Sequence, residues 1–529
     1  MFWRKNKKLE NIKKNWAKPL EKHRNYDLIS SYFRLQSNSK NIQTVDDKTW
    51  NDLNFNSVFS LLDRNTSGVG QQYLYSLLHK YQNNEDELKR RQKLIQELKE
   101  NSDLRESIQL KLLNLFGVSS YFIAYLVLSK SLPQFKFYRI FYLLSLASLL
   151  SLLLISYNGI FLIISLGILL TNLLINKIFS AKIYEYFAGF SGLNNLLLSS
   201  ISISEINTKT YIDEIEFLKS KKHLLKSLKS KLGYLVIDKQ YLGELALAMI
   251  EYLNMFMLFD IIAYYRSVDV LTKHQDEIHE LFKAVGSLDA SISVASYLEE
   301  VKNYCEPEFN KDDKVSFNEL YHPLLKKPVS NSLQDIKKSV LITGSNMSGK
   351  TTFIKTLGVN FILARTLNFC LAKSISIPTL IVKTSIRRNE ELEEGKSYFF
   401  IEIEAIKDFI DVSNDDNKYV FLIDEIFRGT NTIERLASST AVLRYIDKSN
   451  FVFVTTHDIE LQEMLQNTFL MYHFSERIEG DKFYFDYKIQ SGACTSGNAI
   501  RLLEIMSYPR SIISEANLIV TNLLKKIDY

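Results

Sequence analysis

SVLITGSNMSGKTT, residues 339–352, carries the strongest fold signal in the chain. A short apolar run ends in a glycine loop and passes into a helical segment, and Gly344 to Thr351 satisfies GxxxxGK[ST] in that setting. In such a loop the backbone N–H groups of Gly344, Ser345, Asn346, Met347, Ser348 and Gly349 surround phosphates at the positive end of the helix. Lys350 reaches the β- and γ-phosphates, Thr351 ligates Mg²⁺, and Thr352 continues the nucleotide-binding run. The expected cofactors are ATP and Mg²⁺.

Two further apolar runs follow, KYVFLID (418–424) and NFVFVTTH (450–457), with helical patterns between them. Alternating strand and helix signals indicate a parallel sheet covered by helices, whose ligands sit at the carboxyl ends of the strands. All three runs place their polar residues there. Asp424 is positioned to hold Mg²⁺ and Glu425 to polarise an attacking water; the plainer reading is a pair of helix-capping carboxylates. His457 reads either as a sensor of the γ-phosphate or as an ordinary polar loop residue.

Outward from this domain, composition narrows the class. The chain has 529 residues, 46% hydrophobic and 24% charged, with 18 Gly and 7 Pro, which excludes collagen-like, low-complexity and disordered chains. Cys305, Cys370 and Cys494 form no CxxC pair, so neither a disulfide framework nor a cysteine zinc site can be assembled, and the chain reads as intracellular. No HExxH or other paired metal-ligand spacing competes. The net charge of +5 is concentrated in residues 1–24, where nine Lys/Arg face two Glu. This head is too polar for a signal peptide; it suits the phosphates of DNA or of anionic lipid, or else a solvated tail.

The run from Ile140 to Asn176 contains 37 residues and no charge, and Asn158-Gly159 splits it. IFYLLSLASLLSLLLIS and GIFLIISLGILLTNLLI are 17 residues each. Each is about 26 Å of helix, just enough for a bilayer core. A membrane hairpin is expected, with Lys130, Lys136 and Arg139 at one outer end and Lys177 and Lys182 at the other, so that both ends face the cytoplasm. The competing reading is a hairpin buried in a soluble core. LFGVSSYFIAYLVL (115–128) reads as an interfacial or third helix, while residues 85–115, 208–232 and 274–303 carry amphipathic helical patterns.

At this point the residues resemble the MutS family of mismatch-repair ATPases. TGSNMSGKTT (343–352), LIDEIFRGTNT (422–432) and VTTHDIELQEML (454–465) are similar to its phosphate loop, its DEIGRGT segment and its ATHY region. GKSYFFIEI (395–403) resembles its signature, ELYHPLL (319–325) its domain-opening element, and residues 483–516 its tail strand and final helices. LLDRNTSGVGQQYLYSLL (61–78) and VGSLDASISVASY (285–297) are similar to the start and end of its helical lever. The resemblance implies a multidomain α plus α/β chain. With the basic head and the apolar run read above, the parts are a basic arm (1–45), a first lever part (46–116), a membrane hairpin (117–180), a second lever part (181–313), and a P-loop, ABC-like ATPase domain with dimerisation helices (314–529).

Roles follow position by position. Asn346 supports the γ-phosphate, Lys350 and Thr351 the phosphates and metal, Asp424 the metal, Glu425 the water and His457 the switch. Ser397 looks like the serine that meets the nucleotide of the opposite subunit, which implies a homodimer, and Tyr487 aligns either with adenine stacking or with a core aromatic.

Departures matter too. The short stretch ahead of Leu61 leaves no room for mismatch-reading and connector domains, and Phe317-Asn318-Glu319 carries the letters of the mismatch wedge at the ATPase entrance instead. Phe427 stands where glycine is usual after DEI, and Glu434-Arg435 replaces Asp-Gly. The expected function is a dimeric, membrane-anchored ATP-driven clamp on DNA, in mismatch repair or DNA-structure sensing, with its ATPase domain on the cytoplasmic side. The alternative is a membrane-anchored ATPase acting on a protein or membrane partner. A transporter-type ATPase is disfavoured, because GKSYFFIEIEAIKDF occupies the interval where LSGGQ would stand.

Overall fold

The computed structural model describes residues 2–36, 43–129, 132, 134–232, 244–345, 348–386, 398–479, 482–493, 500, 503–504 and 506–527. The chain divides into two compact units. One comprises residues 1–42, 61–79 and 90–301; the other comprises 43–60, 80–89 and 302–529.

The first unit is helical throughout its described residues. Its core gathers Leu104, Ile108, Ile123, Leu126, Leu193, Leu197, Phe282 and Val285, all buried. A buried polar knot shows why DRNTSG precedes the helix Gly68–His79. Asp289, on the helix Gln275–Val301, accepts from Thr66 N (3.0 Å), Ser67 N (2.8 Å) and Ser67 Oγ (2.6 Å). Those N–H groups belong to a helix start that has no internal partners for them. A Cβ at Gly70 would lie 2.2 Å from Asp289 Oδ2, so only glycine lets the two helices approach.

Two sequence expectations resolve differently here. The amphipathic stretch 85–115 breaks into helices Glu85–Glu100 and Ser102–Leu112, because Asn101 caps the second by accepting from Leu104 N at 3.1 Å. Residues 118–128 form a short 3₁₀ turn and the helix Ile123–Leu128, with Ile123, Ala124 and Leu126 fully buried. An apolar run of this length serves a protein core as readily as an interface, and composition does not separate the two.

The charge-free run forms helices Ile140–Leu154 and Ile160–Ser204. Its burial pattern is inverted. Leu143 (67%), Leu153 (65%), Ile163 (71%), Leu170 (62%) and Leu174 (63%) are exposed, while Ser148, Ser151, Ser165 and Asn172 are buried. Asn172 Nδ2 donates to Phe256 O at 2.7 Å, and Ser145 Oγ meets Met257 Sδ at 3.5 Å, so the helix Glu244–Met257 packs beside the hairpin. Of the two hairpin helices, one contains a span, Ile160–Phe179, long and apolar enough to cross a membrane, with a mean hydropathy of 2.0; Ile140–Leu154 is shorter.

The second unit holds ten strands among the described residues: β1 (Glu308–Phe309), β2 (Val315–Leu320), β3 (Asn331–Ile336), β4 (Val340–Thr343), β5 (Ser374–Ile377), β6 (Ile381–Ser385), β7 (Tyr419–Asp424), β8 (Phe451–Thr455), β9 (Leu470–Glu479) and β10 (Lys482–Ser491). One sheet runs β1-β5-β2-β3 and the other β10-β9-β4-β8-β7-β6. In the larger sheet β6, β7, β8, β4 and β9 are parallel, and β10 closes the edge antiparallel. Strands β4 and β8 are buried throughout and β7 is buried up to Asp424, as expected of continuous apolar runs covered on both faces. Residues 43–60 belong to this unit because Asp52, buried at 2% exposure, accepts from Thr384 Oγ1 (2.8 Å) and Ile386 N (3.0 Å) at the end of β6.

Candidate nucleotide site

The sheet register puts the site together. Ile342 and Asp424 both pair with Thr455, so the tips of β4, β7 and β8 lie side by side. After β4 the chain turns through Gly344 (φ +139°) and Gly349 (φ +102°) into the helix Lys350–Leu367. At Gly349 a side chain would be strained by φ and would also meet Tyr487 Cδ1 at 3.2 Å.

Lys350 is buried, and its ammonium donates to Gly344 O (2.7 Å) and Ser345 O (2.8 Å). Burial pushes it down to about 8, against the opposing pull of Glu425 and Asp424. Ser348 Oγ donates to Ser345 O at 2.8 Å, and Ser345 Oγ is buried with no hydrogen-bond partner among the described residues. Thr351 Oγ1 donates to Asp424 Oδ2 (2.7 Å), and Thr455 Oγ1 donates to Asp424 Oδ1 (2.5 Å). Thr352 is exposed on the same helix turn, its carbonyl taking Thr356 Oγ1 at 2.7 Å.

Glu425 follows Asp424 with φ +61°, and its N–H donates to Thr455 O at 3.1 Å. One carboxylate oxygen, Oε1, lies 2.8 Å from His457 Nε2; the other, Oε2, accepts from Arg428 at 2.5 Å. The His457 hydrogen bond, aided by Arg428 and Lys350 and opposed by burial, holds the Glu425 carboxyl below the usual range. His457 Nε2 also lies 3.4 Å from Lys350 Nζ, so acid, base and cation form one cluster.

Tyr487 sits in an irregularity of the β9–β10 pairing between Phe485 and Ile489, with φ +54°. Asn331 spans it, donating to Tyr487 O (3.0 Å) and accepting from Ile489 N (2.8 Å). The ring is half exposed over the Gly349 turn, so it is not a core aromatic. Asn346, Met347 and Ser397 lie outside the described residues.

Sequence reasoning did not single out Thr455, Arg428, Glu402 or the Arg435–Asp458 pair (2.9 and 2.7 Å) that ties the helix Thr432–Ile446 to the loop after β8. Thr455 carried a signal, since it precedes the singled-out His457 by two residues in TTHD. Among the described residues no group of three His, Cys, Asp or Glu is arranged to hold a metal. What the site offers a hard cation is a hydroxyl and a carboxylate, the donor chemistry that suits Mg²⁺ shared with phosphate oxygens.

Residues 340–524 match the family model for MutS domain V. The C-terminal domain belongs to the MutS domain V family. Among its relatives, the DNA mismatch repair protein MutS of Lactobacillus delbrueckii subsp. bulgaricus is 28% identical over 274 residues, 49% of this chain and 31% of the relative. MutS of Methanosarcina mazei is 27% identical over 270 residues, 48% of this chain and 30% of the relative. MutS of Acetivibrio thermocellus is 28% identical over 279 residues, 49% and 31% respectively. The chain thus spans less than a third of the length of these MutS relatives.

Proposed function

We propose that this MutS-family chain binds and hydrolyses ATP in its C-terminal domain, is anchored in a membrane by residues 140–176, and works as a homodimeric clamp on DNA. The observation that carries the ATPase reading is the meeting of Lys350, the Thr351–Asp424 hydrogen bond and the Glu425–His457 pair at three adjacent strand tips. Ser345 Oγ, buried with no partner among the described residues, and the loop carbonyls now holding Lys350 suit a site that exchanges internal contacts for phosphate oxygens. Thr351 and Asp424 would hold Mg²⁺, which supplies charge neutralisation for the phosphates when bound. Glu425, kept ionised by His457 and Arg428, accepts the proton of an attacking water, and the buried Lys350 orients the phosphates.

The membrane reading is supported by the inverted hairpin: hydroxyls and an amide inside, leucines and isoleucines outside. A hairpin in a soluble core shows the reverse. Lys136, Arg139 and Lys177 flank the run, which favours ends facing the cytoplasm and an ATPase domain on that side of the inner membrane. Met249, Tyr252, Leu253 and Phe259, also exposed, extend the apolar surface beside the hairpin. The dimer is supported by the helix Arg510–Ile527, which leaves Ile512, Leu518, Ile519 and Val520 exposed. DNA as the clamped partner comes from the MutS relatives. The alternative, a protein or membrane partner, draws on the hairpin alone.

Two assays separate these readings. Membranes carrying the full chain are washed with carbonate and then with detergent; retention followed by detergent release is expected, and carbonate release contradicts the anchor. ATP hydrolysis is then compared without DNA and with matched, mismatched and branched duplexes at fixed low salt. Stimulation supports the DNA clamp, and hydrolysis indifferent to every duplex favours the alternative.

A further inference from the structure

We infer that Glu402 is a positioning residue for ATP hydrolysis and that it acts by clamping the backbone of Phe427. The inference rests on the ATPase reading above. Glu425 and Phe427 both have positive φ, +61° and +56°, with one residue between them. Non-glycine residues rarely adopt this conformation, and it persists only where the surroundings over-determine it. Those surroundings are visible. The Glu425 N–H is held by Thr455 O, and the Phe427 N–H donates to the Glu402 carboxylate. The Phe399 ring meets the Phe427 ring edge-on with centroids 6.3 Å apart, and a Cβ on Gly429 would lie 2.8 Å from Phe399 Cβ. The first turn of the helix Tyr398–Val412 is therefore docked on the turn that follows β7.

Glu402 is a carboxylate at 6% exposure. Burying it is costly unless it is hydrogen-bonded, and a backbone N–H bonds an ionised acceptor more strongly than a neutral one. The consequence falls on Glu425. Its carboxylate leaves a left-handed backbone to face His457 and Arg428, and relaxation of the turn to an ordinary conformation would swing it away from both. Phe427 explains why a clamp is needed here. Glycine, usual at this position in the segments that LIDEIFRGTNT resembles, takes positive φ without strain. With phenylalanine in its place, the turn depends on Glu402.

The test is a cycle of Glu402→Ala, Phe427→Gly and the double variant in the full chain, with Glu402→Gln and Glu425→Gln alongside, followed by ATPase kinetics and thermal unfolding. Glu402→Ala should lower kcat about 10- to 100-fold with KM for ATP within about twofold, the size of loss expected for a misplaced catalytic group. Glu402→Gln, whose amide oxygen still accepts from Phe427, should recover most of that loss. In the Phe427→Gly background Glu402→Ala should cost less than about threefold, because the turn no longer needs the clamp. Equal losses in both backgrounds, a Gln variant as poor as Ala, or a rise in KM alone would overturn the inference. Coupling in unfolding temperature without coupling in kcat would also overturn it, since the pair would then be structural only. Hydrolysis that survives Glu425→Gln would contradict the ATPase reading itself, and the unfolding cycle would still report whether the two residues are coupled.

Discussion

Thr351 Oγ1 donates a 2.7 Å hydrogen bond to Asp424 Oδ2, joining the first turn of the phosphate-loop helix to the tip of β7. Asp424 takes its second hydrogen bond from Thr455, so two hydroxyls fix the orientation of one carboxylate. Asp424→Asn removes the charge that would hold Mg²⁺ while nearly preserving shape. Magnesium should then no longer tighten the binding of a fluorescent ATP analogue, with apparent metal affinity down at least about 100-fold. An unchanged magnesium titration would show that Asp424 is a structural cap.

The buried Lys350 ammonium, at about 8, gives nucleotide affinity a definite pH dependence. Below 8 the lysine is charged and attracts phosphate; above 8 the nucleotide-free protein loses that charge, and binding must restore a proton. ATP affinity is therefore expected to fall as pH rises from 8 to 9.5. For stability the sign is opposite: the lowered lysine penalises the fold fully below about 8, and the penalty fades as pH rises from there toward the usual 10.5. Lys350→Met should bind weakly with no such slope, and fluorescence titrations across this range decide it.

Asp289 anchors the start of the helix Gly68–His79 from another helix, with three hydrogen bonds and no solvent. Asp289→Ala leaves the buried Ser67 N–H and the half-buried Thr66 N–H without their acceptor and should cost about 3 kcal/mol. Gly70→Ala drives a methyl into the same carboxylate and should cost about 1–3 kcal/mol. Lowered unfolding temperatures for both, without change in nucleotide affinity, are the expected outcome.

Ile163 is 71% exposed on the hairpin and separates lipid from water as its surroundings. In water, Ile163→Lys would be within about 0.5 kcal/mol of neutral. In a bilayer, so close to the hairpin turn, it costs less than the about 2.5–3.5 kcal/mol of a helix centre but stays unfavourable. The substitution should lower the carbonate-resistant fraction, whereas Ile163→Leu should not. A lysine variant as well retained as the leucine one would argue that this face meets water.

The phosphate loop could be read from sequence because strand, glycine turn and helix occur together around GSNMSGKT, and each part constrains the others. Asp424 and Glu425 were legible for the same reason, standing at the end of a buried apolar run. Thr455 stood two residues from His457, but its role shows only in the register that pairs it with Asp424. Glu402 lay even further from view: nothing local says that a carboxylate on one helix accepts from a backbone N–H after β7. In the helical unit the charge-free run stood out by composition alone. The stretch 118–128 did not declare itself, because Ile123 and Leu126 are as apolar in a core as they would be at a membrane. Residues 43–60 join the strand-bearing unit through Asp52 at the end of β6, Asp46 on Lys383 and Leu53 against Gly358, contacts that no periodicity announces.

The most direct test of the central claim is ATP turnover by the detergent-purified full chain beside Glu425→Gln, with nucleotide binding measured on both. Steady magnesium-dependent hydrolysis is expected, falling about 10²- to 10⁴-fold in the variant, the range for loss of a general base, while nucleotide affinity is kept. Wild-type protein that binds ATP without turning it over, or a variant that hydrolyses as fast as wild type, would contradict that claim.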